Sequence, residues 1–330
     1  MVTPAHIPPA ELPDRCFTTA EAAACGVTRS QLLGPGYVSV CRNVWATVQH
    51  VVPTDPVACL MDVLPAFQLV NPKAAASHTS AALLLGLRLP GRLRTPLPGH
   101  VTHFAGHRAT RLKGWHGHRE NLHEEDCWLH NGIRVTGPVR TVVDLAGLSG
   151  PRGPWFMAAE DIVAMLDGVI NQHRVGPLSL MPALRSPDDV EFDLKRLAGR
   201  RGVARVRSAL EFARPGVDSA AETRARLVLM EFGLGEWLTD VELHVPGHRA
   251  VWPDLANPDL KISLQIEGPH HDADAQRVRD IERQRATEAA GWIEIRVLIS
   301  DLYPPIGSAP GTPPRVVELI RQAIARRAAA

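Results

Sequence analysis

Between residues 218 and 302 the hydrophobic period of the chain switches from helical to alternating, then back to helical and to alternating again. This order restricts the fold more than any other feature. Ser219 and Glu222 open a helix that runs to Phe232 and stops at Gly233. Residues 241–245 and 249–255 read as strands, Asn257-Pro258-Asp259 turns the chain, and 260–267 is a strand of aliphatic and β-branched residues. Helical spacing returns over 277–290, with Val278, Ile281 and Ala289 on one face and Gly291 as the stop. From 292 to 298, Ile293, Ile295 and Val297 alternate with Trp292, Glu294 and Arg296. Helices and strands in this order, with a hairpin among them, predict an α/β (α+β overall) fold.

The remainder divides by its glycines and prolines. Residues 1–13 are a proline-rich flexible arm without the apolar core of a signal peptide. Over 14–52 the chain reads helix, turn, helix, hairpin: Thr18 or Thr19 caps a helix ending at Gly26, Thr28 caps a second, and Arg42-Asn43 turns the hairpin. Residues 53–146 form a central mixed α/β region. Helical spacing at 55–69 and 77–85 gives way to short β-like runs, including 133–135 and 141–145. Residues 147–217 are a linker, at 147–154, and a helical region with helices at 158–170 and 193–212, the latter interrupted at 199–202. A proline-rich loop and an amphipathic helix at 316–324 make up 304–330.

Bulk properties bound the partners. A 330-residue chain with 45% hydrophobic and 22% charged residues predicts two or three globular units. The net charge of +1 gives no long-range attraction to nucleic acid, so such contact has to come from local patches. Residues 88–119 carry Arg88, Arg92, Arg94, Arg108, Arg111, Lys113 and Arg119 without an acid. Residues 195–207 add Lys195, Arg196, Arg200, Arg201, Arg205 and Arg207, also unopposed. Both stretches read as phosphate-facing, unless the acidic run 120–126 disperses their charge. Arg140 and Asp144, four apart, read as a structural pair. Five scattered cysteines lack C-x-x-C spacing, and among the seven histidines from His100 to His130 the pairs His103-x-x-x-His107 and His116-x-His118 lack accompanying cysteines or an ordered carboxylate pattern, so neither set is expected to be a zinc site. No apolar run matches a membrane helix, and a reducing cytoplasm is the expected compartment.

The residues with chemical potential lie in the C-terminal region. Cleaving a phosphodiester with a metal requires oxygen ligands for Mg²⁺ and an activated water. A hairpin can supply an acid near the end of one strand and two more donors at alternate positions of the next, here Asp254, Gln265 and Glu267. The order Ser219-Ala-Ala-Glu222, Phe232-Gly-Leu, Asp254, Gln265-Ile-Glu267-Gly-Pro-His-His271, Arg279-Asp-x-x-Arg283, Gly291-Trp292 resembles a family of nuclease-like domains. These are related to very-short-patch repair endonucleases, in the PD-(D/E)XK superfamily. The resemblance covers 218–303 and implies a restriction-endonuclease-like fold binding Mg²⁺ or Mn²⁺. It implies metal ligation by Asp254, Gln265 and Glu267, a helix carboxylate at Glu222 beside the metal-bound water, and His271 as base or phosphate contact. Arg279 and Arg283 would steady the substrate phosphate. The sequence departs from the pattern by placing neutral Gln265 where a carboxylate stands and Glu267 where the family has Asp.

The segment FTTAEAAACGVTRSQL…GPGYVSVCRNVWATV resembles the winged-helix domain of abortive-infection type IV antitoxins (AbiEi-like), and Thr136-Gly-Pro-Val-Arg140-Thr-Val-Val-Asp144 resembles a segment of the same proteins. That resemblance implies DNA as a partner, read by Thr28, Arg29 and Gln31 with Arg42 on the wing, and a cognate toxin. Three readings stand at this point: a DNA endonuclease acting in defence or repair, a non-enzymatic antitoxin-like regulator with a degenerate nuclease fold, and a protein-interaction scaffold with neither activity. The sequence leaves the oligomeric state open.

Overall fold

The computed structural model describes residues 7–148, 150–176, 179–244, 250–267 and 274–329, with the side chains of all but 173–176, 179–180 and 274–281. The fold is mixed α/β and falls into two compact units, one of residues 1–157 and 188–206, the other of 158–187 and 207–330.

The first unit starts with a short strand, two short helices and a hairpin: β1 (Phe17–Thr18), α1 (Thr19–Ala24), α2 (Arg29–Leu32), β2 (Tyr37–Cys41) and β3 (Val44–Thr47). Thr18 caps α1 in a reciprocal box with Glu21, and Thr28 does the same for α2 with Gln31. The β2–β3 turn places Asn43 at φ 63°, a left-handed position that Asn tolerates. β3 lies between β1 and β2 in one antiparallel sheet. Helix α3 (Pro56–Val70) is capped by Asp55, and its buried Asp62 accepts from the Cys16 amide and thiol and from His50 Nε2 at 2.9 Å. That fixes α3 against β1. Burial and the facing carboxylate push the Cys16 thiol far above its usual range, so it is no nucleophile.

A five-stranded sheet follows, from β4 (Ala74–Ala76), β5 (Gly99–Phe104), β6 (Trp115–Leu122), β7 (Cys127–His130) and β8 (Ile133–Thr136), in the order β6-β5-β4-β8-β7. β5–β6 and β4–β8 are parallel, the other two pairs antiparallel. Helix α4 (His78–Leu84) is buried throughout. Helix α5 (Pro138–Leu148) replaces the β-like run expected over 141–145 and takes up the first two residues of the expected linker. Thr141, Val142 and Val143 favour strands locally, but Pro138 suits a first helical turn and burial of almost the whole segment overrides propensity. The chain then supplies α6 (Ala159–Ile170) and a hairpin of β9 (His173–Gly176) and β10 (Ser179–Met181) to the second unit. It returns with α7 (Pro187–Arg196), and the boundary to the second unit falls inside α8 (Val203–Leu210). The expected helix over 193–212 is thus two helices, with Gly199 and Gly202 between them at positive φ.

Arg140 is the buried hub of the first unit, 2% exposed. Its guanidinium reaches Asp144 Oδ1 at 2.7 Å, Asp126 Oδ2 at 3.0 Å and the Asn121 carbonyl at 3.3 Å. Burial alone would raise Asp126, but Arg196, the His123 amide and Arg140 outweigh it and hold that carboxyl below its ordinary value. Asp144 is fully enclosed, and burial lifts it to about 6 despite the same arginine.

The second unit continues with α9 (Ala220–Glu231), β11 (Leu255–Asn257), β12 (Ile262–Glu267), α10 (Asp274–Ala289), β13 (Ile293–Leu298) and α11 (Arg315–Ala328). β11 runs antiparallel to β12, and β12 parallel to β13. Bridges Leu238↔Ala256 and Leu243↔Val251 add a further antiparallel run beside β11. The strand expected over 249–255 is reduced to that bridge and the start of β11, because Pro253 has no amide to donate. Register partners fix two faces. Leu264, Ile295 and Val297 lie with α9 and α11 in one core, while Ser263, Gln265, Glu267, Glu294 and Arg296 share the other face. Asp167 on α6 is fully buried and accepts from the Arg214 amide, Thr223 Oγ1 and Arg226 Nη2 at 2.7, 2.7 and 3.1 Å.

Replacing Arg140 with Ala strips the buried Asp144 of its ion-pair partner and Asp126 of one of its three. The expected loss in urea unfolding is about 3–5 kcal/mol, as for other buried pairs stripped of one member. Arg196→Ala, which removes a half-buried partner of Asp126, should cost clearly less.

Candidate functional site

Helix α9 begins at Ser219, whose hydroxyl accepts from the Glu222 amide at 3.1 Å. The Glu222 carboxylate folds back to accept from the Asp218 amide at 2.8 Å, and the side chain is buried. Asn171 holds this entry in place, donating to the Val217 carbonyl and to Asp218 Oδ1 while accepting from the Gly216 amide. Ser219 thus caps the helix, but the Glu222 carboxylate reaches the amide one residue before the cap, so the reciprocal capping box is not closed. Burial, then the nearby charges of Asp254 and Asp218, lift Glu222 to about 7 against its own hydrogen bonds.

Asp254 precedes β11 and faces β12. Its Oδ1 accepts from Gln265 Nε2 at 2.8 Å and its Oδ2 from the Ile266 amide at 2.6 Å. Burial raises its pKa as well, opposed by these bonds and by Arg283. Gln265 Oε1 is buried with no partner. Two desolvated carboxyls, with Asp254 raising Glu222, stand in one unit with an orphaned amide oxygen on Gln265, the partner of Asp254, and supply oxygen donors. That donor set fits a hard divalent cation such as Mg²⁺. Glu267, on the same sheet face as Gln265, is drawn to Arg296 Nε at 2.5 Å. Arg296 stands opposite Gln265 in the β12–β13 register. Arg283 lies on α10, 3.7 Å from Glu294. His271 and the side chain of Arg279 lie outside the described residues. Asp218, Glu294 and Arg296 are the site's additional members. The alternation of Glu294 and Arg296 marks a polar face in the sequence, but only the structure shows Arg296 reaching diagonally from its place opposite Gln265 to Glu267.

The first unit carries a second feature. A cleft of about 520 Å³ is lined by Arg42 and Asn43 of the β2–β3 turn, Asn71 after α3, His103 of β5, and residues 108–112 before β6, with no acidic residue in its wall. Arg42, Arg108 and Arg111 are exposed and form no ion pair among the described residues. Gly117 of β6 permits this shape: a Cβ there would overlap the Thr110 backbone, with its nitrogen only 2.5 Å away. Of the residues expected to read DNA, Thr28 and Gln31 are engaged in the α2 capping box, whereas Arg29 is exposed. The second basic stretch does not present its arginines as expected. Arg196 pairs with Asp126 and Glu125, Arg200 with Glu120 and Asp126, and Arg205 donates to the Ala146 and Met157 carbonyls. The acidic run 120–126 takes up Arg196 and Arg200, while Lys195, Arg201 and Arg207 remain exposed.

The molecule is thus a two-unit mixed α/β protein with an enclosed carboxyl–amide cluster in one unit and an arginine-lined cleft in the other. Among the described residues, no helix is long and apolar enough to cross a membrane. No family model matches the chain. It is similar to Uncharacterized protein MT2308 of Mycobacterium tuberculosis strain CDC 1551 / Oshkosh and to Uncharacterized protein Rv2248 of strain ATCC 25618 / H37Rv. Each is 27% identical over 176 residues, which are 52% of this chain and 57% of the relative. The match spans little more than half the length of these curated relatives. Among solved structures, the crystal structure of RV2827C protein from Mycobacterium tuberculosis covers 60% of this chain and 71% of its own at 16% identity, with a TM-score of 0.38.

Because Glu222 titrates near 7 in the folded protein against an ordinary 4.5, the fold holds that proton more tightly than the unfolded chain. Its contribution favours the fold below pH 4.5 and is lost as pH rises through 7. Glu222→Gln should therefore flatten the decline in stability between pH 5 and 8, and at pH 8 should stabilise the second unit by on the order of 3 kcal/mol. Urea unfolding of both proteins at the two pH values measures the difference.

Proposed function

We propose that this protein is nucleic-acid-directed and that its second unit is a metal-dependent DNA endonuclease-like domain acting in defence or repair. The carrying observation is the convergence of Glu222, Asp254 and Gln265, with two buried carboxyls of raised pKa and a buried, unpartnered Gln265 Oε1. Its order of helix, antiparallel run, helix and parallel strand is also the order expected of a PD-(D/E)XK core. In this reading Asp254, Gln265 and Glu267 would hold Mg²⁺ or Mn²⁺, which would supply an acidified water. Glu222, once ionised, accepts a proton from that region, and Arg283 adds positive charge beside the cluster. Arg42, Arg108 and Arg111 provide phosphate contacts on the first unit, with Arg29 on α2. The cytoplasm is the compartment in this proposal.

One observation favours a second reading. Gln265 Nε2 donates to Asp254 Oδ1, so the amide partly satisfies by itself the charge that a cation would neutralise. A chain that has settled into this state is a DNA-binding, antitoxin-like regulator with a cognate toxin. A neighbouring gene for a nucleotidyltransferase-like toxin would support it.

Purified protein should nick supercoiled DNA with Mg²⁺ or Mn²⁺, more rapidly as pH rises through about 7, where Glu222 ionises. Asp254→Ala should abolish nicking. Gln265→Glu should raise it by restoring a carboxylate. Cleavage by Gln265→Glu alone marks a disarmed nuclease. Silence of both, with salt-sensitive DNA binding lost in Arg29→Ala, establishes the regulator instead. Replacing Arg108 and Arg111 together with Ala should lower the slope of log affinity against log salt by about 2.

A further inference from the structure

Three histidines far apart in sequence meet inside the first unit: His78 at the start of α4, His100 on β5 and His118 on β6. One ligand nitrogen from each lies within 4.8 Å of the others, and His100 Nδ1 is 3.0 Å from His118 Nε2. The His78 and His118 rings stack at 3.8 Å, and the His100 ring centroid is 5.0 Å from that of His118. His78 and His100 are only 3% and 2% exposed, and His118 is half-buried. His116 and Trp155 wall the cluster on the side of His100.

Ordinary core packing accounts poorly for this arrangement. An imidazole is an expensive polar group to bury, and here three face one another with one hydrogen bond shared between two of them. Burial and the neighbouring histidines depress His100 to about 3 and His118 to about 4, and drive His78 well below its ordinary value. All three are neutral at pH 7, with lone pairs available. His78 adopts φ 49°, a left-handed position in which His, like Asn and Asp, is found more often than other residues with a side chain. Its Nδ1 is 3.0 Å from Ser77 Oγ, which in turn accepts from Thr102 Oγ1 at 2.8 Å. A Nδ1–H donated to that hydroxyl fixes the tautomer and leaves Nε2 to coordinate, as outer-shell oxygens do for metal-bound histidines.

We propose that His78, His100 and His118 bind one divalent cation of the zinc class, through Nε2, Nδ1 and Nε2 respectively. Zinc–nitrogen bonds of about 2.0–2.1 Å in a tetrahedron separate the ligand nitrogens by about 3.4 Å. The observed 3.0 Å between His100 and His118 lies a few tenths of an ångström from that. Three neutral nitrogen donors select zinc, cobalt, nickel or copper over magnesium, so this site is chemically distinct from the oxygen cluster of the second unit. The ion ties the first turn of α4 to β5 and β6 and keeps a fourth position open for water. The signal was hidden in the sequence because His78 precedes the histidine-rich stretch and meets it only through the packing of α4 on β5 and β6.

The test uses the full chain, stripped of metal and titrated with Co²⁺. The expected result is one equivalent bound, with the visible d–d absorption of four-coordinate cobalt, displaced by one equivalent of Zn²⁺ and not by excess Mg²⁺. Zn²⁺ should also raise the thermal midpoint by several degrees. His118→Ala should lose both responses, while His107→Ala, an exposed histidine outside the cluster, should keep them. Should His118→Ala fail to fold, the wild-type spectrum still decides. Sulfur-to-cobalt charge transfer in the near ultraviolet would place the ion at the other grouping, Cys16, His50 and Asp62, and overturn the proposal. Folded wild-type protein that binds neither Co²⁺ nor Zn²⁺ at near-millimolar metal also overturns it, as does equal binding by folded His118→Ala.

Discussion

The first unit depends on one buried guanidinium. Arg140 joins the helix that carries it to Asp126, at the head of β7, and to the carbonyl of Asn121 in β6. Without it, Asp144 would lose its ion-pair partner, Asp126 would keep only Arg196 and Arg200, and β7 would lose its anchor to α5. Arg196 and Arg200 extend the same network outward from α7 and the segment that follows it. The planar fork of arginine suits this role, since one group serves several acceptors from a fixed position. Asp167 is the counterpart in the second unit, an acid enclosed by donors that arrive from α9 and the segment before it. In both units, buried charge defines which elements meet, while the aliphatic core supplies most of the driving force.

Much of the architecture follows from local sequence. Gly233 and Gly291 end their helices at positive φ, Asn43 turns the β2–β3 hairpin, and Thr28 caps α2, each at the position its chemistry predicts. The pairing of Arg140 with Asp144 follows from their spacing along a helix. The juxtaposition of Asp254 with Gln265 follows from antiparallel strands and alternation. What escapes a sequence reading depends on contacts between distant segments. Arg196 and Arg200 look unopposed because their acids lie some seventy to eighty residues upstream. Glu267 looks free because Arg296 comes to it only through the crossover to β13. Residues 141–145 look like a strand because β-branching is a weaker influence than enclosure on every side.

The polar face of the second unit's sheet brings ligand and competitor together. Gln265 and Glu267 point the same way, and so does Arg296, which occupies the more acidic of the two. Opposite them the same strands bury Leu264 and Ile295, so core and site are set by a single register. A slip of one residue would turn the aliphatic face outward and the carboxylate face inward.

The chain crosses between the two units three times, after Met157, after Pro187 and after Val206. No single cut therefore releases either unit intact, and the order of synthesis differs from the order of assembly. When residue 157 has been made, Asp126 still lacks Arg196, and α6 has to wait for Arg214, Thr223 and Arg226 before Asp167 is satisfied. Each unit is completed by residues made after the other has begun, so a nascent chain holds two unfinished cores at once. A protein built this way is harder to divide or recombine than its two-part appearance implies.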